Sequence, residues 1–417
     1  MARPAVHPWL RIALAMVGVA WGANQFPPLI PVYRARDHLT PASVTGMLAI
    51  YGLGLVPVLF LAGSFTHRYG PRRTVRLGAL LSLTSTLVMC AGDIQAWTLY
   101  PGRFLAGVAS AFAFTAGSLW IRQVSHGAAA GSGARRATVA LSAGFGAGPL
   151  VAGAVAQWLP APALLPYLLH AVLMLGVTGL MWGVSGPAPT ASAAARTTHE
   201  LIPAAARSRR FLLGVVPWAP WVFGAPTVGF TILPAVVANH ISGIAAAFAG
   251  GVAGLVLMAG IAVQPLARRL GTTGALRIRV AGLLAAAAGL AGCALTASTG
   301  EVALVPAVAI VLGSGYGLLF VLGLLEVERL AEAHEASSLV ACFYALTYLG
   351  IAIPFLLSLF AAGGRYTAPL LVAALLPLLA VPLAALGSRT PPQTQPPAVR
   401  LTDVPVDPSS YCPLDRS

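Results

Sequence analysis

Apolar residues run along this 417-residue chain in long unbroken stretches, not in the short alternating bursts of strands. Twelve such runs fall at 9–33, 42–66, 74–93, 97–121, 137–158, 162–183, 212–238, 241–264, 280–299, 302–325, 337–361 and 366–387. Each approaches the roughly 20 mostly apolar residues that an α-helix needs to cross a bilayer. The runs are far longer than barrel strands and do not alternate, so helices are the expected form. The expected fold is an all-α polytopic membrane protein, with twelve transmembrane helices forming two pseudo-symmetric six-helix bundles. Its parts are an N-terminal bundle over 1–183, a cytoplasmic linker over 184–211, a C-terminal bundle over 212–387 and a tail over 388–417.

The linker is rich in Ala, Pro, Ser, Thr and Arg. The tail carries Thr390-Pro-Pro-Gln-Thr-Gln-Pro-Pro397 and little apolar material, which predicts a disordered cytoplasmic segment. Arg3 and Arg11 ahead of an apolar run imitate a secretion signal. The run continues past Trp21 through Pro31, too long for a signal core, so it reads as an uncleaved first span.

Composition agrees with the pattern. Hydrophobic residues make up 58% and charged residues 9%, with a mean hydropathy of +0.82, whereas a soluble domain carries roughly 25% charged residues. All 25 basic residues are arginine and the formal net charge is +14. Such a charge invites a nucleic-acid reading, but its placement argues otherwise. With the N-terminus inside, 16 arginines fall in the loops of one face (Arg68, Arg72, Arg73, Arg76, Arg122, Arg135, Arg136, Arg196, Arg207, Arg209, Arg210, Arg268, Arg269, Arg277, Arg279 and Arg329) and three on the other (Arg34, Arg36 and Arg365). This is the positive-inside asymmetry of a cytoplasmic-membrane protein with both termini in the cytoplasm. Nucleic acid is not an expected partner. The four cysteines, at 90, 293, 342 and 412, form no CxxC pair and read as packing residues. A lysine-free chain cannot build a Gly-x-x-x-x-Gly-Lys-[Ser/Thr] nucleotide loop, and no cofactor is expected.

The basic loop Gly63-Ser-Phe-Thr-His67-Arg68-Tyr-Gly70-Pro-Arg72-Arg73 has a worn copy, Ala267-Arg268-Arg269-Leu-Gly271, about 200 residues later. Leu29-Ile-Pro31-Val answers Ile232-Leu-Pro234-Ala, Gly107 and Gly117 answer Gly313 and Gly323, and Pro149 answers Pro354. A parallel duplication of six helices places a cavity between the halves near the bilayer midplane.

These motifs resemble those of the major facilitator superfamily over residues 9 to about 387. The loop is similar to that family's Gly-x-x-x-Asp-Arg-x-Gly-Arg-Arg signature through Gly63, Arg68, Gly70, Arg72 and Arg73. His67 stands at the aspartate position and Pro71 interrupts the basic run. The resemblance implies a role in holding the cytoplasmic gate. Histidine adds a pH-sensitive variant of that latch, and simple cytoplasmic anchoring by arginine is the alternative. Arg103-Phe-Leu-Ala-Gly107 resembles the family's Arg-x-x-x-Gly motif, which implies proton coupling or recognition of substrate charge. The alternative is an arginine that snorkels to the outer headgroups. Gly144, Gly148, Pro149, Ala152 and Gly153 resemble the Gly-Pro motif of the antiporter branches, implying an exporter, with small-residue packing as the alternative. By the same resemblance spans 1, 4, 7 and 10 line the cavity. Asn24, Gln25, Trp218, Trp221, Phe223, Thr227 and Tyr316 are the candidates there, the two amides leading because buried amides need partners.

All eleven acidic residues fall in loops, tails or span ends, so no proton carrier stands out. Asp93 and Glu326 are the nearest, and His170 reads as a packed, hydrogen-bonded residue. The expected function is secondary active transport of a small organic solute by alternating access, most simply proton-coupled efflux by a monomer in the bilayer. An uptake permease or facilitator is the alternative. A polytopic membrane enzyme is remote, because the eight histidines are scattered, and a membrane sensor would want a soluble domain.

Overall fold

A computed structural model describes residues 7–125, 128–129, 132–185, 202–270, 275–331 and 335–388. The predicted tail and linker residues 186–201 lie outside the described residues. The first span consists of α1 (Pro8–Asn24) and α2 (Ile30–Asp37), joined through a 3-10 turn at Pro27–Leu29. Helices α3 (Pro41–Tyr69), α4 (Pro71–Cys90), α5 (Leu99–Val124), α6 (Ser132–Trp158) and α7 (Leu165–Trp182) complete the first half. The short α8 (Ala204–Arg207) leads into α9 (Arg209–Gly214) and α10 (Ala219–Val236), which together make the seventh span. The others are α11 (Ala245–Leu270), α12 (Ala275–Thr299), α13 (Leu304–Leu330), the broken pair α14 (Ala336–Leu349) and α15 (Ile353–Phe360), and α16 (Thr367–Ser388). Among the described residues there is no strand. The twelve crossings match the twelve apolar runs in number and order. Ten are long and apolar enough to span a bilayer by themselves.

Proline explains the interruptions. Pro27 and Pro28 have no N–H to offer the carbonyls of Ala23 and Asn24, so the first span, predicted as one uninterrupted run, breaks at Gln25–Phe26. Pro217 and Pro220 do the same between α9 and α10. Pro354 removes the donor to Gly350 O, where the eleventh span turns 3-10.

Packing reproduces the duplication more selectively than the motifs suggested. A Cβ at Gly107 would strike the Tyr51 carbonyl oxygen and sit 2.8 Å from Leu55 N; one at Gly313 would strike the Val256 carbonyl. Thus α5 meets α3 as α13 meets α11. Gly78 and Gly282 are likewise matched, a Cβ there lying 2.9 Å from Ala113 N and 2.8 Å from Leu319 Cγ. The Gly117–Gly323 pair does not correspond: Gly117 faces Met16 of α1, whereas Gly323 faces Phe343 of α14. Nor does the proline pair, since Pro149 lies within continuous α6 and Pro354 at a helix break. Because the α3–α5 approach leaves no room, Gly107→Val is expected to destabilise the protein by about 1–3 kcal/mol, the usual range for overpacking. Gly63→Val, with nothing within 4 Å of its Cβ position, is the control. Thermal unfolding of the two purified variants checks the contrast, and equal behaviour would refute it.

The halves touch along two main seams, and the Pro27–Asp37 stretch of the first span also packs against α11. Across α3 and α14–α15, Thr45 Oγ1 lies 2.9 Å from Ser358 Oγ, and a Cβ on Gly52 would lie 3.4 Å from Tyr348 O. Across α6 and α11, a Cβ on Gly153 would lie 2.6 Å from Ala246 O, and Gln157 Nε2 donates to Gly243 O at 2.6 Å. All these contacts lie between the helix midpoints and the ends away from the arginine-rich loops. The halves are therefore packed together at the face opposite those loops.

Candidate functional site

The break in the first span frees backbone carbonyls inside the first half. Ala23 O, left without its helical donor by Pro27, accepts a hydrogen bond from Arg103 Nη1 at 2.9 Å. Arg103 enters from the second turn of α5 and is 1% exposed, which rules out the snorkelling alternative. Its guanidinium carbon lies 4.6 Å from the Tyr51 ring centroid and 5.2 Å from that of Phe26, a cation–π setting for a cation removed from water. Gln25 is wholly buried, and neither its amide nitrogen nor its oxygen has a partner. The adjacent Asn24 is half-buried.

The second half presents aromatic surface instead. Phe223 of α10 lies 5.6 Å from Tyr316 and 6.0 Å from Phe320 of α13, and 4.7 Å from Tyr348 of α14. Tyr344, one turn from Tyr348, extends the wall and lies 6.0 Å from Phe320. The hydroxyls of Tyr316, Tyr344 and Tyr348 make no hydrogen bond to the protein among the described residues. The Gly52–Tyr348 approach joins this wall to the arginine cage, because Tyr51 precedes Gly52 on α3. Of the predicted second-half site residues, Tyr316 falls in the wall, beside Phe223 of the predicted cavity-lining span 7. Trp221 is buried in the core beside it without joining these ring contacts, and the Thr227 hydroxyl is already donated to Phe223 O at 2.5 Å. Tyr344 and Tyr348 were missed; their i, i+4 spacing on span 11 was the available signal.

The predicted gating residues divide into two groups. Gly144 and Gly148 let α6 close on α1, a Cβ at Gly148 falling 2.7 Å from Trp21 O. Gly153 and Pro149 meet Gly250 of α11 across the inter-half seam. In the 63–73 loop, Gly70 turns the chain from α3 to α4 at φ 83°. His67 and Arg73 are exposed, and the Arg68 guanidinium lies 5.4 Å from the neighbouring Tyr69 ring. Arg72 is half-buried with its Nε unpartnered. Among the described residues the loop makes no ion pair that would latch the two halves.

The titratable groups sort themselves by partner. His170 is completely buried; its Nε2 donates to Gly18 O at 2.8 Å and its Nδ1 accepts from the Thr86 hydroxyl at 2.7 Å. The carbonyl fixes this tautomer and leaves the ring no free nitrogen, as the sequence reading expected. Asp93 pairs with Arg36 at the face opposite the arginine-rich loops. Glu326 corrects the expectation that acids avoid the interior. It is 5% exposed and lies 3.7 Å from both Arg210 and Arg279. Helix α13 runs on to Leu330 because those partners, from α9 and α12, neutralise the charge.

A pocket of about 800 Å³ opens on the Asp93 side, between the halves. Pro27, Ile30, Pro31 and Arg34 line it from the first half, and Thr231, Pro234, Asn239 and Arg365 from the second.

The Major Facilitator Superfamily profile matches residues 12–353, and the chain belongs to that family. It is therefore a multi-pass membrane protein. Among solved structures it is similar to the nucleoside transporter NupG, with a TM-score of 0.73, 12% identity and coverage of 93% of this chain and 100% of that one. A mutant of the peptide transporter POT gives 0.73 at 17% identity over 91% and 95%. A D-xylose–proton symporter gives 0.67 at 14% identity over 90% and 96%. No curated protein matches the sequence. At these identities the likeness is one of fold, and it selects no branch of the superfamily.

Proposed function

We propose that this protein is a secondary active transporter of the cytoplasmic membrane. It carries a small organic solute by alternating access, works as a monomer, and binds its solute between the Arg103–Gln25 cage and the Phe223–Tyr316–Tyr348 wall. The observation that carries this reading is the one-sided seam. Two halves whose contacts, among the described residues, gather toward one face fit one end state of a rocking pair. The arginine asymmetry supports placing the loop-rich face in the cytoplasm.

Proton-coupled efflux is the finer reading. Efflux rests on the α6 glycines and Pro149, which hold α1 and α11 against one helix. Proton coupling has a counterpart in the fold of the xylose–proton symporter. Flux in proteoliposomes under an imposed pH gradient, measured in both directions, tests both. Solute accumulation against a gradient only in the uptake sense would replace efflux with the permease alternative. Topology has its own test. In a cysteine-free background, Arg73→Cys, at an exposed position past the Gly70 turn, is expected to react with an impermeant thiol reagent only after cells are opened. Trp97→Cys, at a side chain 64% exposed, should react in intact cells. The reverse pattern would invert the orientation.

A further inference from the structure

We infer that the solute, or an ion moving with it, carries a compact anionic group such as a carboxylate, and that Arg103 with Gln25 binds it. The inference rests on the transporter reading and narrows its substrate class. A buried guanidinium is expensive to leave without a counter-charge. Among the described residues the one buried carboxylate is Glu326, and it is engaged by Arg210 and Arg279 in the other half. Arg103 has only a carbonyl and two ring faces. One Nη is occupied by Ala23 O, and the Nε is unpartnered. The Nε edge of a guanidinium is one of its two forks for gripping a carboxylate with parallel hydrogen bonds. Gln25 adds an unpartnered amide two residues along from Ala23. The site is sealed in this conformation, so admitting an anion requires the first span to move at its Pro27–Pro28 break, which couples binding to rearrangement.

The approach from the opposite face has the same sign. The pocket there reaches Pro27, beside the cage residue Phe26, and carries Arg34 and Arg365 with no carboxylate in its lining. The neighbouring Arg36, by contrast, is neutralised by Asp37 and Asp93. Fields of one sign in a cleft concentrate ligands of the other.

The test uses the full-length protein in phosphatidylcholine nanodiscs, with thermal unfolding followed in sodium propionate or uncharged propionamide at matched ionic strength. Propionate should raise the unfolding temperature and propionamide should not. Arg103→Gln, which keeps an amide donor for Ala23 O, should weaken propionate binding at least about tenfold, as expected for a lost charge-assisted bond. Gln25→Glu supplies an internal carboxylate. It should raise the unfolding temperature without ligand and abolish the response to propionate. Equal effects of propionate and propionamide would overturn the inference, as would a Gln25→Glu protein that unfolds earlier. Stabilisation by added phosphatidylglycerol but not by propionate would assign the site to a lipid headgroup and overturn it too. Flux separates the two readings. Transport of neutral solutes that propionate does not inhibit leaves the transporter standing and sinks the anion site. Propionate binding without flux of any solute upholds the anion site and sinks the transporter reading.

Discussion

Replacing Thr45 and Ser358 together by cysteine is expected to stop transport under oxidising conditions and to restore it on reduction. The two hydroxyl oxygens lie 2.9 Å apart although the residues are 313 positions apart in sequence. Thr45 sits one turn into α3 in the first half and Ser358 near the end of α15 in the second. Both are buried, so the seam is dry and well packed there. Side-chain atoms that approach this closely are within the span a disulfide bridges, with Cβ atoms about 3.8 Å apart. Alternating access requires this face to open in every cycle, and a covalent link across it holds the molecule in the conformation described here. Flux in proteoliposomes should fall more than about tenfold with oxidant, as complete closure of one access path implies, and return with dithiothreitol. Either single cysteine variant should be insensitive to both reagents. Undiminished flux through a fully cross-linked protein would show that the Thr45–Ser358 seam does not open during transport.

The same physics explains how much of this molecule was legible in its sequence. Bilayer thickness dictates run length, so the twelve crossings and their order could be read directly. The arginine distribution spoke to orientation for a similar reason. Arg103 was identifiable because a charge inside an apolar run needs an explanation, and the structure places it in a cage. Its partner Ala23 O was not identifiable, although Pro27 and Pro28 announce that two carbonyls go free; which side chain takes one depends on how α5 packs against α1. The aromatic wall was only half visible. Tyr316 sits among glycines and drew notice, whereas Tyr344 and Tyr348 look like any aromatics in an apolar run, because lipid and a cavity make similar demands on one helix. Glu326 was noticed as an acid at a span end, but its burial was not foreseen. Hydropathy falls at Glu326-Val-Glu328-Arg329, which reads as a helix leaving the membrane, and only the tertiary partners show that the carboxylate is buried. Internal symmetry has the same boundary: Gly107 and Gly313 match because backbones touch there, while Gly117 and Gly323 share a spacing but not a neighbour.

That buried carboxylate supports the largest stability effect expected for a single substitution. Glu326 is 5% exposed and holds Arg210 and Arg279, each at 3.7 Å, from two other helices. Arg279 is 2% exposed, and its guanidinium lies 5.9 Å from the Trp218 ring centroid. Glu326→Gln keeps the shape and removes the buried charge that faces Arg279 and Arg210. Breaking a buried pair in this way typically costs about 3–5 kcal/mol. The Arg210 side is 25% exposed and contributes less, because water screens it. Asp93→Asn breaks the Arg36 pair, where both side chains are 34% exposed, and should cost only about 0–1 kcal/mol. Thermal unfolding in one detergent should order the proteins accordingly, and comparable losses would contradict the distinction between buried and exposed pairs. Glu326→Leu combined with Arg279→Met supplies the converse check, since replacing a whole buried pair with apolar residues of similar size is often neutral or stabilising. If that double variant recovers stability but transports slowly, the role of the pair is mechanical. It ties α9, α12 and α13 together at the arginine-rich end, so that the second half can turn as one body against the first.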